Sequence, residues 1–365
     1  MDNNIYNGQP SRILPQRPFF SIVVACYNSR KTIGALLASI VAQNLNDDIE
    51  VILSDDCSTE SYQDIVDDFK NLGLSIRQVQ TDYNFAPGNT REKGASVAEG
   101  RWLCFADHDD EFIEGSLVNI KGVLEQIPNT KYAIANFVEM NPDTNEVIQQ
   151  MIGTRNWNHA KFYNMDTLWR AYDIHFKKDL LTHEDIYISS RINCIVPDNE
   201  IVYINEFCYI WNSRPTSISR ENYENHNFLE VFMKDYLIST GYTYLEEFEK
   251  GNIDANYTVD ECIGVLIYTY FYMMGFFFHQ GGNRITENDD ICREYLVKIK
   301  QTFQIDNQFI WNYAAADDAR LFMSVFEASR VSTGPYISNM TFKEYLDWLH
   351  ADIKPLVTMK EVMHK

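Results

Sequence analysis

Basic side chains are scarce in this 365-residue sequence: 31 Lys and Arg stand against 52 Asp and Glu, a net charge of −21. A charge of that sign repels polyanions over roughly a Debye length, about 8–10 Å at physiological salt, so unspecific nucleic-acid binding is disfavoured. Paired cysteines are absent. The seven Cys, at positions 26, 57, 104, 194, 208, 262 and 292, form no C-x-x-C pair and no metal-ligand spacing. An odd, scattered set fits a reducing cytoplasm better than a disulfide framework. There is no internal repeat and no low-complexity linker. The N-terminus through Pro18 is polar with three Pro and no apolar core, so residues 1–17 read as a tail rather than a signal peptide. Long apolar runs are also wanting. Residues 262–278 are 17 positions without a charge, but they are Tyr-rich, hold two Gly and end at His279-Gln280. A spanning helix needs about 20 predominantly apolar residues. The expectation is a buried or interface helix, with peripheral membrane contact as the alternative.

What is present suffices for a core: 45% hydrophobic residues, with 22 Tyr and 22 Phe. The length accommodates one large domain and a smaller one. The first half alternates strand-like and helix-like segments. Phe19–Ala25 is a continuous apolar run of the doubly buried, parallel type, and Cys26 beside it reads as a small buried hydrophobe. Ser29 offers an N-cap before Thr32–Val41, where Ile33, Leu36, Leu37, Ile40 and Val41 recur at helical spacing. Val51-Ile52-Leu53 is a second strand that ends in Ser54-Asp55-Asp56-Cys57-Ser58, followed by a helix over Tyr62–Leu72. Leu74–Val79 alternates as a third strand, and a polar loop, Asp82–Asn89, leads to a helix from Thr90 to Glu99 with Gly100 as its C′ residue. Trp102–Ala106 is the fourth strand and runs directly into Asp107-His108-Asp109-Asp110.

Strands separated by helices of this length predict an α/β domain with a mainly parallel sheet flanked by helices. Ligands of such sheets bind beyond the carboxyl ends of the strands, so Asp55-Asp56 and Asp107–Asp110 are expected to face one crevice. From about Glu221 the strand signals stop. Phe228–Ile238, Val259–Phe278, Asp290–Phe303, Ala315–Ser329 and Thr341–Leu349 all read as helices. The expected organisation is a tail over 1–17, a catalytic domain over 18–220 and a helical module over 221–365.

Three carboxylates in four residues, Asp107, Asp109 and Asp110, repel one another unless a cation lies between them or they splay into water. Alternate carboxylates can reach one hard divalent ion such as Mg2+ or Mn2+, whose remaining positions phosphate oxygens fill. A solvated acidic turn is the plain alternative. Downstream, His183-Glu184-Asp185 precedes the helical pattern Ile186–Ile192, where an acidic pair also suits a helix N-terminus.

Taken together, Ala25-Cys26-Tyr27-Asn28-Ser29, Val51–Thr59, Asn84–Gly100 and Asp107–Asp110 resemble, over residues 19–220, the inverting family-2 glycosyltransferases of the GT-A fold. The resemblance implies a nucleotide site in which Ala25, Tyr27 and Asp56 hold the base, with Asn28 beside Tyr27. It places Arg91 next to the nucleotide, Asp107 near the ribose and Asp109 on the metal, with Asp107 as a second metal ligand. Asp110 either stabilises the turn or approaches the sugar. Glu184-Asp185 matches the family's E-D motif, which makes Asp185 the general base for the acceptor hydroxyl and Glu184 its companion. Tyr209–Ser219 matches a segment after the last strand, where Arg214 meets the departing diphosphate and Ser217 and Ser219 lie at the module boundary. His108 and Ala25-Cys26 depart from the usual pattern; His108 is read as a neighbour that tunes the site.

The function this implies is metal-dependent transfer, with inversion, of a sugar from a nucleoside diphosphate sugar, UDP-linked by preference. The acceptor is a cell-surface glycan, a teichoic acid-like polymer or other polyol-phosphate, or a lipid-linked oligosaccharide. The expected location is the cytoplasm, with the inner face of the membrane as the alternative. The helical module would bind acceptor or make a homo-oligomer. Three other readings stay open: transfer to protein or modified DNA, a nucleotidyltransferase, and a non-catalytic nucleotide-binding scaffold. The second would usually bring a Gly-rich basic loop near the first strand, where only Ser29-Arg30-Lys31 stands.

Overall fold

The computed structural model describes residues 17–84, 86–178, 180–214, 226–269, 287–316 and 342–350. The chain divides into two compact units, Met1–Asn222 and Tyr223–Lys365. The first unit is built on one mixed sheet. Its strands are β1 (Phe20–Cys26), β2 (Ile49–Asp55), β3 (Ser75–Gln80), β4 (Trp102–Asp107), β5 (Glu111–Phe112), β6 (Tyr132–Asn141), β7 (Glu146–Met151), β8 (Lys161–Asn164) and β9 (Ile201–Asn212). Their order is β3-β2-β1-β4-β8-β6-β9-β5, with β7 added on β6. The helices of this unit are α1 (Ile33–Val41), α2 (Gln63–Asn71), α3 (Pro87–Ala95), α4 (Ser116–Gln126) and α5 (Glu184–Ile195).

The four parallel strands expected from the sequence are β1 to β4. In β1 every residue but Ala25 is buried, as a run apolar on both faces requires. Parallel pairing in register sets Ala25 beside both Ser54 and Asp107, and Cys26 beside Asp55. The carboxyl ends of β1, β2 and β4 therefore finish level with one another. Beyond β4 the sheet turns mixed: β8 is antiparallel to β4 and β6, and β6 and β9 are parallel. These later strands were not read from the sequence.

Several local expectations are corrected. Ser29 does not cap α1; it opens a short 3-10 turn, Ser29–Lys31, and Thr32 occupies the cap position without a side-chain bond to the helix's free N–H groups. The third helix runs Pro87–Ala95, earlier than Thr90–Glu99, because Pro87 supplies a first-turn residue whose missing N–H costs the helix nothing. Gly100 is thus no C′ residue. A Cβ there would lie 2.6 Å from the Ser21 backbone nitrogen and 2.8 Å from the Phe20 carbonyl carbon. Residues 209–212, expected after the last strand, are its final residues.

Close approach at Gly100 belongs to a buried polar knot at the amino ends of the strands. The Glu50 carboxylate, 4% exposed, accepts from Ser21 Oγ at 2.6 Å, from the Glu99 N–H at 2.6 Å and from the Gly100 N–H at 3.0 Å. Three donors on one buried carboxylate satisfy it and fasten β1 and β2 to the turn before β4.

The second unit is helical where described: α6 (His226–Leu237), α7 (Thr243–Glu249), α8 (Ala255–Tyr268), α9 (Glu287–Phe303), α10 (Asn307–Ala315) and α11 (Phe342–His350). Asp254 and Asp306 cap α8 and α10 through the N–H groups of Tyr257 and Phe309. Cys262–Ile267 is buried within this unit, which is how the described part of the 262–278 segment is accommodated; positions 270–278 lie outside the described residues, as do Ser217, Ser219 and most of the helix expected over 315–329. No helix among the described residues is long and apolar enough to cross a membrane.

Replacing Gly100 by Ala forces a methyl group against fixed backbone. We expect a loss of about 1–3 kcal/mol, the range for an overpacked site, read as a lower midpoint in chemical unfolding; an unchanged midpoint would contradict the packing described.

Candidate functional site

Two loops follow the carboxyl ends of β1 and β2. Asn28, after β1, takes left-handed backbone angles (φ 48°), which Asn tolerates better than most residues. Its Oδ1 accepts from the Thr59 N–H at 2.9 Å and hydroxyl at 3.0 Å, while its own N–H donates to Ser58 Oγ at 2.8 Å. Asp55 accepts from the Ser58 N–H at 3.0 Å, from Ser58 Oγ at 2.5 Å and from the Tyr62 hydroxyl at 3.2 Å. Asn28 and Asp55 thus knit the loops together, the latter in the manner of an Asx turn. Asp56 is buried and accepts from Thr81 Oγ1 at 2.8 Å. Tyr27 stands 47% exposed, two residues beyond Ala25 at the end of β1, an aromatic face of the kind a base stacks on.

At the end of β4 the four residues diverge. Asp107 Oδ1 accepts from Arg91 Nη2 of α3 at 2.6 Å, and Arg91 Nη1 also binds Glu184 at the start of α5. One buried guanidinium therefore joins the two acidic motifs. Gly88 permits it, since a Cβ there would press to 3.1 Å from Glu184 Cβ. Burial alone would raise the Asp107 carboxyl, but the Arg91 charge, with His159, outweighs it and holds Asp107 well below the usual carboxylate range. Asp110 points inward: its Oδ2 accepts from the Tyr209 hydroxyl and its Oδ1 from the Asn212 N–H, both at 2.8 Å. Burial, then repulsion by Asp107 and Asp109, pushes its carboxyl well up. The Tyr209 hydroxyl also accepts from the Asp107 N–H at 2.9 Å. Asp109 faces the other way, 3.8 Å from Arg214 Nε. His108 Nδ1 lies 2.8 Å from Thr32 Oγ1, on the α1 side.

The groups of metal-ligating type that converge among the described residues are Asp107, Asp110 and His159, within 4.8 Å of one another; Asp109 is not one of them. His159 was missed in the sequence. It lies between β7 and β8, follows no motif and is distant along the chain from the two carboxylates it meets, Asp107 and Asp110. A surplus of unpaired carboxylates at a strand end is the only signal that pointed to a missing partner.

Asp185, in the first turn of α5, accepts from the Ile186 N–H at 2.8 Å. Burial and then the neighbouring Glu184 push its carboxyl up to about 7, against the pull of Arg91. A carboxyl near neutrality can take a proton at working pH, as a general base must.

The sheet order and the level, acidic strand ends define a GT-A fold, the class of α/β domain that binds nucleotide-sugars. Residues 21–196 match the model of glycosyl transferase family 2, and that segment belongs to the family. The poly(ribitol-phosphate) beta-N-acetylglucosaminyltransferase TarS of Staphylococcus aureus is 29% identical over 180 residues, 46% of this chain and 31% of its own. A poly(ribitol-phosphate) beta-glucosyltransferase of Bacillus spizizenii is 29% identical over 148 residues, 37% of this chain and 23% of its own. The UDP-Glc:alpha-D-GlcNAc-diphosphoundecaprenol beta-1,3-glucosyltransferase WfaP of Escherichia coli is 30% identical over 99 residues, covering 27% and 38%. The matches thus span well under half the length of these relatives. The crystal structure of S. aureus TarS 1-349 in complex with UDP-GlcNAc superposes with TM-score 0.61 at 20% identity, covering 86% of this chain and 92% of that one. At that identity the likeness is one of fold.

Two outcomes follow from the charges. Arg91→Met strands Asp107 and Glu184, and since Asp107 keeps 33% of its side chain in water we expect a loss of about 3 kcal/mol, the low end for breaking a buried pair, in urea unfolding. Asp185 binds its proton more tightly folded than unfolded, so its contribution to stability falls as pH rises from 3.8 to about 7. Asp185→Asn should therefore match the parent near pH 4 and surpass it above pH 7 in thermal unfolding; a gap independent of pH would refute the assignment.

Proposed function

We propose that this chain transfers one sugar from a nucleoside diphosphate sugar, UDP-linked, to an acceptor hydroxyl with inversion at the anomeric carbon. The observation that carries the reading is Arg91, bonded at once to Asp107 on the donor side and to Glu184 beside Asp185. Ala25, Tyr27 and Asp56 are assigned to the base and Asp107 to the ribose side. Asp185 takes the acceptor proton as the acceptor oxygen bonds to the anomeric carbon. As that bond forms, the carbon–oxygen bond to the diphosphate breaks on the opposite face, its electron pair leaves with the diphosphate, and Arg214 meets that charge. Glu184 positions the acceptor.

A divalent cation, Mn2+ or Mg2+, is assigned to Asp107 and Asp109. The donor set fits: oxygen ligands on a strand end whose mutual repulsion a cation relieves. When bound, such an ion offsets the charge of the diphosphate. The named relatives that use poly(ribitol-phosphate) or an undecaprenol-linked glycan support a polyol-phosphate polymer or lipid-linked oligosaccharide as acceptor.

The test is nucleotide release from UDP-, GDP- and CDP-sugars with Mn2+ or Mg2+. Asp185→Asn should lower kcat by about 10²–10⁴-fold with little change in donor KM, and the parent rate should climb with pH through about 7 as Asp185 loses its proton. Chelation should abolish turnover. Full activity in Asp185→Asn would overturn the mechanism.

A further inference from the structure

We propose that the helical second unit carries an anion site of its own, a cavity that holds a phosphate group through lysines and the polyol attached to it through carboxylates. The cavity, about 380 Å³, opens where the end of α9, the start of α10 and α11 come together, and every residue that lines it belongs to this unit. Ligand pockets begin at roughly 300 Å³, so a phosphate with part of a chain has room here.

The cations come from two helices. Lys300, near the end of α9, donates from Nζ to Asn307 Oδ1 at 2.9 Å and to His350 Nδ1 at 3.1 Å. An ammonium has three N–H bonds and no lone pair, so one of its donors is left over. By the same logic the His350 ring accepts at Nδ1 and carries its proton on Nε2, a second donor on the cavity lining. Lys343 of α11 supplies the third. Its side chain is exposed and makes no hydrogen bond or ion pair among the described residues, although Asp347 stands one turn along the same helix. By contrast, Lys250 and Lys298 of this unit are neutralised in place by Glu247 and Glu249. In a chain of net charge −21, two neighbouring lysines without a carboxylate partner are a local reversal of sign. The start of α10 does not carry the site, because Asp306 already caps it through the Phe309 N–H.

Two carboxylates decide the kind of anion. Asp306 and Asp347 also line the cavity; they repel a bare phosphate but accept from hydroxyl groups. A polyol phosphate serves both sets at once, phosphate to the lysines and hydroxyls to the carboxylates. This choice of ligand rests on the polyol-phosphate acceptor favoured above, whereas the cation cluster does not. A polymer of such units can be held by one repeat while another is modified, which raises its effective concentration.

Calorimetric titration of the full chain in saturating UDP, so that the nucleotide site is occupied, tests this with inorganic phosphate and glycerol phosphate as probes. Glycerol phosphate should bind more tightly than phosphate. Lys300→Gln and Lys343→Gln should each weaken it by about tenfold, while Lys298→Gln, which removes the same charge outside the cavity, should leave it unchanged. Asp347→Asn should strengthen inorganic phosphate and narrow the gap between the probes. Should Lys300→Gln fail to fold, Lys343→Gln decides, because it breaks no bond of the native structure. Absence of binding to the parent, or an equal loss in Lys298→Gln, overturns the site. Phosphate bound as tightly as glycerol phosphate overturns the polyol assignment. Capture on phosphatidylglycerol vesicles without binding of the soluble probe makes the cavity a membrane contact and overturns it too. Normal nucleotide release alongside any of these failures leaves the proposed transfer standing; probe binding by a chain that releases nucleotide from no donor sinks the transfer and keeps the site.

Discussion

Everything at the candidate centre depends on one guanidinium in a place that excludes water. Arg91 lies on α3, between the strand that presents Asp107 and the helix that presents Glu184 and Asp185. Without it, acidic groups from elements far apart in sequence would face one another in a chain that is already strongly negative. With it, the same repulsion becomes tunable. Asp107 is held ionised, while Asp185, one residue past the arginine's partner, keeps a carboxyl near neutrality. Two carboxylates of similar intrinsic acidity thus take different roles because a single cation touches one directly and the other only at a distance.

The parallel half of the sheet was legible because β1, β2 and β4 are short apolar runs that end in acidic or polar turns and β3 alternates beside them, and register does the rest. Level strand ends put Ala25 and Asp107 side by side without help from distant contacts. The mixed half was not legible. Strands β6 to β9 interleave polar residues that are satisfied only across the sheet: Asn136 Oδ1 accepts from the Gly153 N–H, and Glu139 from Ser213 Oγ. A local pattern cannot announce partners of that kind.

The acidic cluster shows the same division. Its location could be read from the strand before it; the direction of each side chain could not. Asp109 and Asp110 are neighbours in sequence, yet one reaches Arg214 and the other turns into Tyr209 and Asn212. His159 carries no signal in its own stretch of sequence, since its position comes from aromatic packing against Phe137, Tyr209 and Trp211 rather than from spacing.

The bonds of the Tyr209 hydroxyl have a temporal meaning as well. They join residues about a hundred positions apart, Asp107 and Asp110 on one side and the closing strand of the sheet on the other. Such contacts form late, because the loop that separates them must be closed first. During synthesis the loops after β1 and β2 can therefore be in place while the acidic centre is still splayed, and it draws together only once β9 has emerged and docked. A ribosome-bound chain halted before that strand would hold the sheet's parallel half without a finished centre, so the protein acquires its fold before it acquires its chemistry.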